Sequence, residues 1–133
     1  MIAGGDNWTG TGTTNTGNNN SNLFDYGNNT LTRYNNMNRA RWYSSSTTLL
    51  NGETYIQGGS CGTYRPEIRD VNGNFRLLQN ADTNALVFMY LHNFIAPDGR
   101  VFGIDVELRA HGLEHARMAM AGIQHGDAAR LRQ

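Results

Sequence analysis

The chain has 133 residues, one Cys and no net formal charge, and all eleven of its cationic positions are Arg. That length allows one ordinary domain, the neutral balance offers no basic face to nucleic acid or a membrane surface, and a single Cys excludes an internal disulfide framework. The longest apolar run, ALVFMYL (85–91), is far too short to cross a bilayer, and no secretory signal is expected in the opening residues.

MIAGG (1–5) reads as the end of an apolar strand closed by Gly4-Gly5. The polar Gly/Thr/Asn stretch after it lacks the Lys and the strand-to-helix context of a phosphate-binding loop, and reads as a long loop between two strands. NLFDY (22–26) and TLTRY (30–34) flank GNN, a hairpin signature. RWYSSSTTLL (41–50) and ETYIQ (53–57) flank Asn51-Gly52, a second hairpin that Gly58-Gly59 closes. EIRDV and NFRLL repeat the scheme around Asn72-Gly73. LVFMYLHNFIA and RVFGI do so around Pro97-Asp98-Gly99, where Pro97 pre-sets φ for the first turn position.

From Asp105 onward the composition changes. Asn disappears after Asn93, while Ala, His and Arg become frequent. Val106, Leu113, Ala116, Met120 and Ile123 fall at roughly helical spacing, which predicts an amphipathic helix or a frayed segment. Gly112 and Gly122 weaken such a helix by about 1 kcal/mol each.

An internal repeat underlies residues 1–104. Gly4-Gly5 and Gly58-Gly59 each end an apolar strand, and Asn51-Gly52 and Asp98-Gly99 lie 47 residues apart with matched strands on either side. A period near 50, four short strands per unit and a Gly pair after one strand are propeller-blade features. A Gly backbone there approaches its neighbour where a side chain could not. The fold class expected is all-β, a partial propeller of antiparallel four-stranded blades over residues 1–104, with a helical or disordered tail over 105–133. A generic all-β domain built of hairpins is the other reading.

Residues 22–43, NLFDYGNNTLTRYNNMNRARWY, taken with TTLLNGETYIQGG and FIAPDGRVFG, resemble the kelch blades of the galactose oxidase and glyoxal oxidase family. The resemblance covers about two blades. It implies that Tyr43 occupies the position of a copper ligand and catalytic radical site, and that Cys61, following Gly58-Gly59-Ser60, occupies the position of a residue stacked over it. In the family a phenol stabilised by a thioether holds a radical beside copper, and the two one-electron carriers oxidise primary alcohols or aldehydes with O₂, giving hydrogen peroxide. The cross-linking Cys, the second Tyr and the two His ligands have no counterpart at matched positions here. The resemblance therefore implies an inactive part of such an oxidase that holds no copper by itself. Its partners would be the missing blades or further copies of the chain, and its compartment secreted or extracytoplasmic.

The tail carries HGLEH (111–115), which fits H-x-x-E-H. On a helix that spacing would put two imidazoles on one face for zinc, with Glu114 as general base. No third ligand is marked, Gly112 interrupts the motif, and a chance match in a His-rich tail is the favoured reading. Trp8 and Trp42 read either as rings that stack on sugars or as a loop aromatic and a packing residue. Besides the oxidase fragment, the sequence is compatible with a non-catalytic kelch segment binding carbohydrate or protein, and with a small all-β interaction domain whose tail covers a sheet edge.

Overall fold

The computed structural model describes residues 1–12, 16–61, 64–83, 89–109, 112–124 and 128–132, with side chains as far as residue 104. Within them the protein is all-β, eleven strands in three antiparallel sheets. The first sheet has the order β1-β2-β3, built from β1 (Ile2–Ala3), β2 (Ser21–Asp25) and β3 (Thr30–Arg33). The second is a four-stranded meander of β4 (Ser44–Thr48), β5 (Thr54–Gly58), β6 (Glu67–Arg69) and β7 (Phe75–Leu77). The third joins β8 (His92–Ile95), β9 (Val101–Arg109), β10 (Gly112–Gln124) and β11 (Ala128–Arg132), again each beside the next.

The hairpins form where the turn residues place them, and three share one geometry. In the β4–β5, β6–β7 and β8–β9 loops a Gly with φ between 81° and 93° donates its N–H to the carbonyl three residues earlier. Gly52 bonds to Leu49 at 3.0 Å, Gly73 to Asp70 at 3.1 Å and Gly99 to Ala96 at 2.8 Å. Each loop is then closed by a bond spanning it, such as Leu49 N–H to Glu53 O at 2.8 Å. These are type I turns followed by a left-handed residue, the three-residue hairpin loop, rather than two-residue primed turns. The Asx side chain before each of two of the glycines fixes the exit: Asn51 Oδ1 accepts Glu53 N–H and Asp98 Oδ1 accepts Arg100 N–H, both at 3.1 Å.

In the β2–β3 loop the left-handed residue is Asn29 (φ 57°), not Gly27.

The tail, expected to be helical or frayed, is strand over its described residues 105–109, 112–124 and 128–132. β9 runs unbroken across residues 104 and 105, and β10 pairs with it from Gly112↔Arg109 to Ala121↔Val101 with one register shift between Leu113 and His115. The sequence supplies the reason. Ile104, Val106 and Leu108 alternate with Asp105, Glu107 and Arg109, a period of two, which suits a strand paired along one edge with β10. No helix of the described residues is long and apolar enough to cross a membrane.

The core lies between the second and third sheets, where Leu49, Tyr55, Ile68 and Val101 are buried and Leu78 and Ile95 pack against them. Burying such side chains contributes roughly 1.5–3 kcal/mol each. The first sheet joins through polar contacts: Gly5 N–H bonds to Arg41 O at 2.9 Å, Arg41 N–H to Asn18 O at 2.9 Å, and Met37 N–H to Asn19 O at 2.8 Å.

Candidate functional site

The strand-ending glycine pairs and the ARWY segment meet at Arg41. Gly4 (φ 75°), Gly5 (φ 138°), Gly58 (φ 72°) and Gly59 (φ 98°) all adopt positive φ, so the two pairs match in conformation as well as in sequence. A methyl group added at Gly4 would lie 2.0 Å from Arg41 O, and one at Gly59 would lie 2.9 Å from Arg41 Cβ. Gly17 approaches as closely, at 2.9 Å from Arg41 C. Three chain segments thus close on one residue whose backbone only glycine lets them reach.

Arg41 itself is wholly buried, as is its partner Glu67. Its Nε donates to Glu67 Oε1 at 2.9 Å, Nη1 to Gly58 O at 2.7 Å and Nη2 to Arg65 O at 2.7 Å. Glu67 Oε2 also accepts the Asn38 N–H at 2.8 Å and the Asn38 side-chain amide at 3.1 Å. Burial lowers the Arg41 pKa from its ordinary value, and Glu67 opposes that shift. A charge pair taken out of water persists only with further hydrogen bonds, and here every guanidinium nitrogen of Arg41 and both carboxylate oxygens of Glu67 have a partner.

Beyond this anchor the chain turns sharply and shows aromatic rings to solvent. Four described residues other than Gly have positive φ: Asn29, Tyr43 (65°), Cys61 (85°) and Tyr90 (56°). Asn29 is a hairpin residue that tolerates it, but the other three gather in one place. Trp42 stacks on Tyr43 with ring centroids 4.2 Å apart, and Tyr90 lies over Tyr43 at 4.8 Å, tilted by 36°. Ser60 N–H, next to Cys61, bonds to Trp42 O at 2.7 Å, and Tyr90 N–H bonds to Tyr43 O at 3.2 Å. Strained backbone of this kind costs of order 1–3 kcal/mol per residue and clusters at functional sites.

Tyr43, the residue marked as copper ligand, is 38 % exposed and immediately precedes β4. The rings on it are Trp42 and Tyr90. The exposed Cys61 accepts the Gly17 N–H on Sγ at 3.0 Å. Partial burial, and then the Tyr43 phenol beside it, raise the Tyr90 pKa. Tyr90 is the member of this group that the sequence reading passed over. Its signal was available, since Tyr90 stands 47 residues after Tyr43, the same interval as Asn51 to Asp98. Each stands just ahead of the first strand, in chain order, of a four-stranded sheet, β4 for Tyr43 and β8 for Tyr90.

The described residues hold no group of three His, Cys, Asp or Glu able to bind a metal ion. Beside Tyr43 stand two aromatic rings rather than imidazoles, and His92 is exposed on β8. This set does not fit a copper centre on its own. Of the HGLEH motif, His111 lies outside the described residues, and Glu114 and His115 belong to strand β10, so the helix the motif needs is not formed. Trp8 is 69 % exposed on the loop that Asp6 and Gly17 bridge.

No family model matches the chain, and no curated protein matches it.

Proposed function

We propose that this chain is a part-propeller of a copper-radical oxidase resembling galactose oxidase and glyoxal oxidase, contributing Tyr43 to a site completed by residues outside it and inactive in isolation. The observation that carries the reading is the placement of Tyr43. It is strained into the left-handed region, presented at the surface, covered by aromatic rings, and set on a rigid base of buried Arg41 and closely packed glycines. A residue that must hold a reactive phenol in fixed geometry needs such support. The arrangement of β4 and β8 agrees with adjacent blades: both are the first strands of four-stranded meanders, and the phenols preceding them touch.

Substrates of this class are primary alcohols or aldehydes, oxidised by O₂ with release of hydrogen peroxide. The test is the gene product translated with its flanking coding sequence. That sequence should supply a Cys one strand ahead of Met1 and a Tyr and two His downstream. Its copper-loaded product should form peroxide from a primary alcohol or aldehyde, and Tyr43→Phe should abolish this. A full-length product that has no such residues and takes up no copper overturns the reading.

The exposed rings of Tyr43 and Tyr90, with half-buried Trp42 stacked on Tyr43, also support the second reading, a kelch segment that stacks on sugar rings without chemistry. Binding of neutral oligosaccharides that quenches Trp fluorescence, in a product inert toward alcohols and aldehydes, would favour it.

A further inference from the structure

Two tyrosines 47 residues apart meet at the surface with their rings tilted against each other, and their chemistry does not depend on a metal. Tyr43 and Tyr90 have ring centroids 4.8 Å apart, 36° from parallel. Their backbones are tied by the Tyr90 N–H to Tyr43 O bond, and both are held at positive φ, so the two backbone origins of the rings are fixed next to each other. They are 38 % and 63 % exposed, open to a dissolved reagent.

We propose that Tyr43 and Tyr90 are a built-in site of oxidative phenol coupling, joined into one intramolecular dityrosine by a one-electron oxidant. Each phenol gives one electron to an oxidant molecule and its hydroxyl proton to water, leaving two phenoxyl radicals. A carbon–carbon bond then forms between the ring positions ortho to the oxygens. The hydrogen on each of those carbons shifts to oxygen and restores both hydroxyls. In sum two electrons go to two equivalents of oxidant and two protons to solvent. Proximity decides the partner, because a phenoxyl already in contact with a second ring reacts before it meets another molecule.

The other tyrosines lack that geometry. Tyr26 is the most exposed, at 92 %, but it sits on the β2–β3 turn, and among the described residues no ring contacts it. Tyr34 lies beneath the Arg69 guanidinium, 5.5 Å from it, Tyr64 is 46 % exposed with no ring against it among the described residues, and Tyr55 is fully buried. Coupling therefore follows pairing rather than exposure. This assignment goes beyond the oxidase reading and stands whether or not Tyr43 meets copper.

The test is to treat the dilute, metal-free chain with two equivalents of hexachloroiridate(IV), a one-electron outer-sphere oxidant. Dityrosine fluorescence should appear in the monomer. Peptide mapping should find a single cross-link, between Tyr43 and Tyr90, with the loss of two hydrogens. Tyr90→Phe should lose the signal and Tyr26→Phe should keep it. The map of the unaltered chain decides even if Tyr90→Phe does not fold. Cross-links at other tyrosines, intermolecular dimers, or consumption of tyrosine without dityrosine would each overturn the proposal.

Discussion

Arg41 and Glu67 meet at 2.9 Å with no exposure on either side chain, and this pair ties the first sheet to the second. The guanidinium serves the carboxylate and two backbone carbonyls, while the carboxylate serves Asn38 twice. Removing one partner leaves a buried charge and several orphaned groups. Arg41→Met is therefore expected to cost about 3–5 kcal/mol, a large share of a small domain's stability. Replacing Glu67 as well should not restore it, since the carbonyls of Gly58 and Arg65 and the donors of Asn38 stay unpaired. Urea denaturation of both single variants and the double variant checks this, and recovery in the double variant would contradict it.

Gly4 and Gly99 separate two costs of a side chain at positive φ. Their φ values are alike, 75° and 81°, but a methyl group at Gly99 meets nothing within 4 Å while one at Gly4 meets Arg41 O at 2.0 Å. Gly99→Ala should lose about 1–2 kcal/mol from the left-handed conformation alone. Gly4→Ala must also push Arg41 off its partners, and should lose markedly more or fail to fold. Equal losses in thermal melts would mean that the close approach at Arg41 carries no weight.

Much of this architecture was readable in advance because hairpin turns are local. Asn51-Gly52, Asn72-Gly73 and Asp98-Gly99 each specify their own backbone path, so the turns fell where the residues put them, while of LVFMYLHNFIA only His92–Ile95 is strand and residues 86–88 lie outside the described residues. The tail was misread because Val106, Leu113, Ala116, Met120 and Ile123 suit a helix at coarse spacing, whereas the adjacent alternation from Ile104 to Arg109 suits a strand. Antiparallel pairing of β10 with the strand just before it, β9, goes with the second pattern. Arg41 was invisible as a core residue, since a charged side chain is buried only when distant partners converge, and its Glu67 lies 26 residues on. Tyr90 was hidden by its surroundings: Leu91-His92-Asn93 stands where Ser44-Ser45-Ser46 follows Tyr43, and only the shared interval relates them.

Tyr55 tests the buried polar layer of β5. Its hydroxyl donates to Gln57 Oε1 at 2.8 Å, and burial raises its pKa well above the ordinary phenol range. The Gln57 Nε2 already lacks a hydrogen-bond partner. Tyr55→Phe would leave the whole Gln57 amide without a side-chain partner in an almost fully buried setting. A loss of about 1–3 kcal/mol is expected. Tyr55→Phe combined with Gln57→Leu should regain part of it, and calorimetry of the pair measures that recovery.

Acid should weaken the fold through its turn carboxylates, and Glu53 is the one to follow. Hydrogen bonds from Arg76, at 2.8 and 2.9 Å, hold the Glu53 carboxyl below its ordinary pKa; partial burial opposes this and Asn51 assists. A folded-state pKa below the unfolded one means the unfolded chain binds the proton more readily. The stabilisation is therefore complete above the unfolded value and is lost as pH falls through the folded value. Asp70 and Asp98, lowered chiefly by Asn74 and Arg100 respectively, act with the same sign. Arg76→Gln should flatten the acid limb of stability against pH only in part, because those two carboxylates remain. It should leave stability near neutrality little changed, since Arg76 is half exposed and such pairs contribute about 0–1 kcal/mol. Denaturant midpoints measured from neutral pH downward on the variant and the unaltered chain check this, and an unchanged acid limb would remove Glu53 from the account.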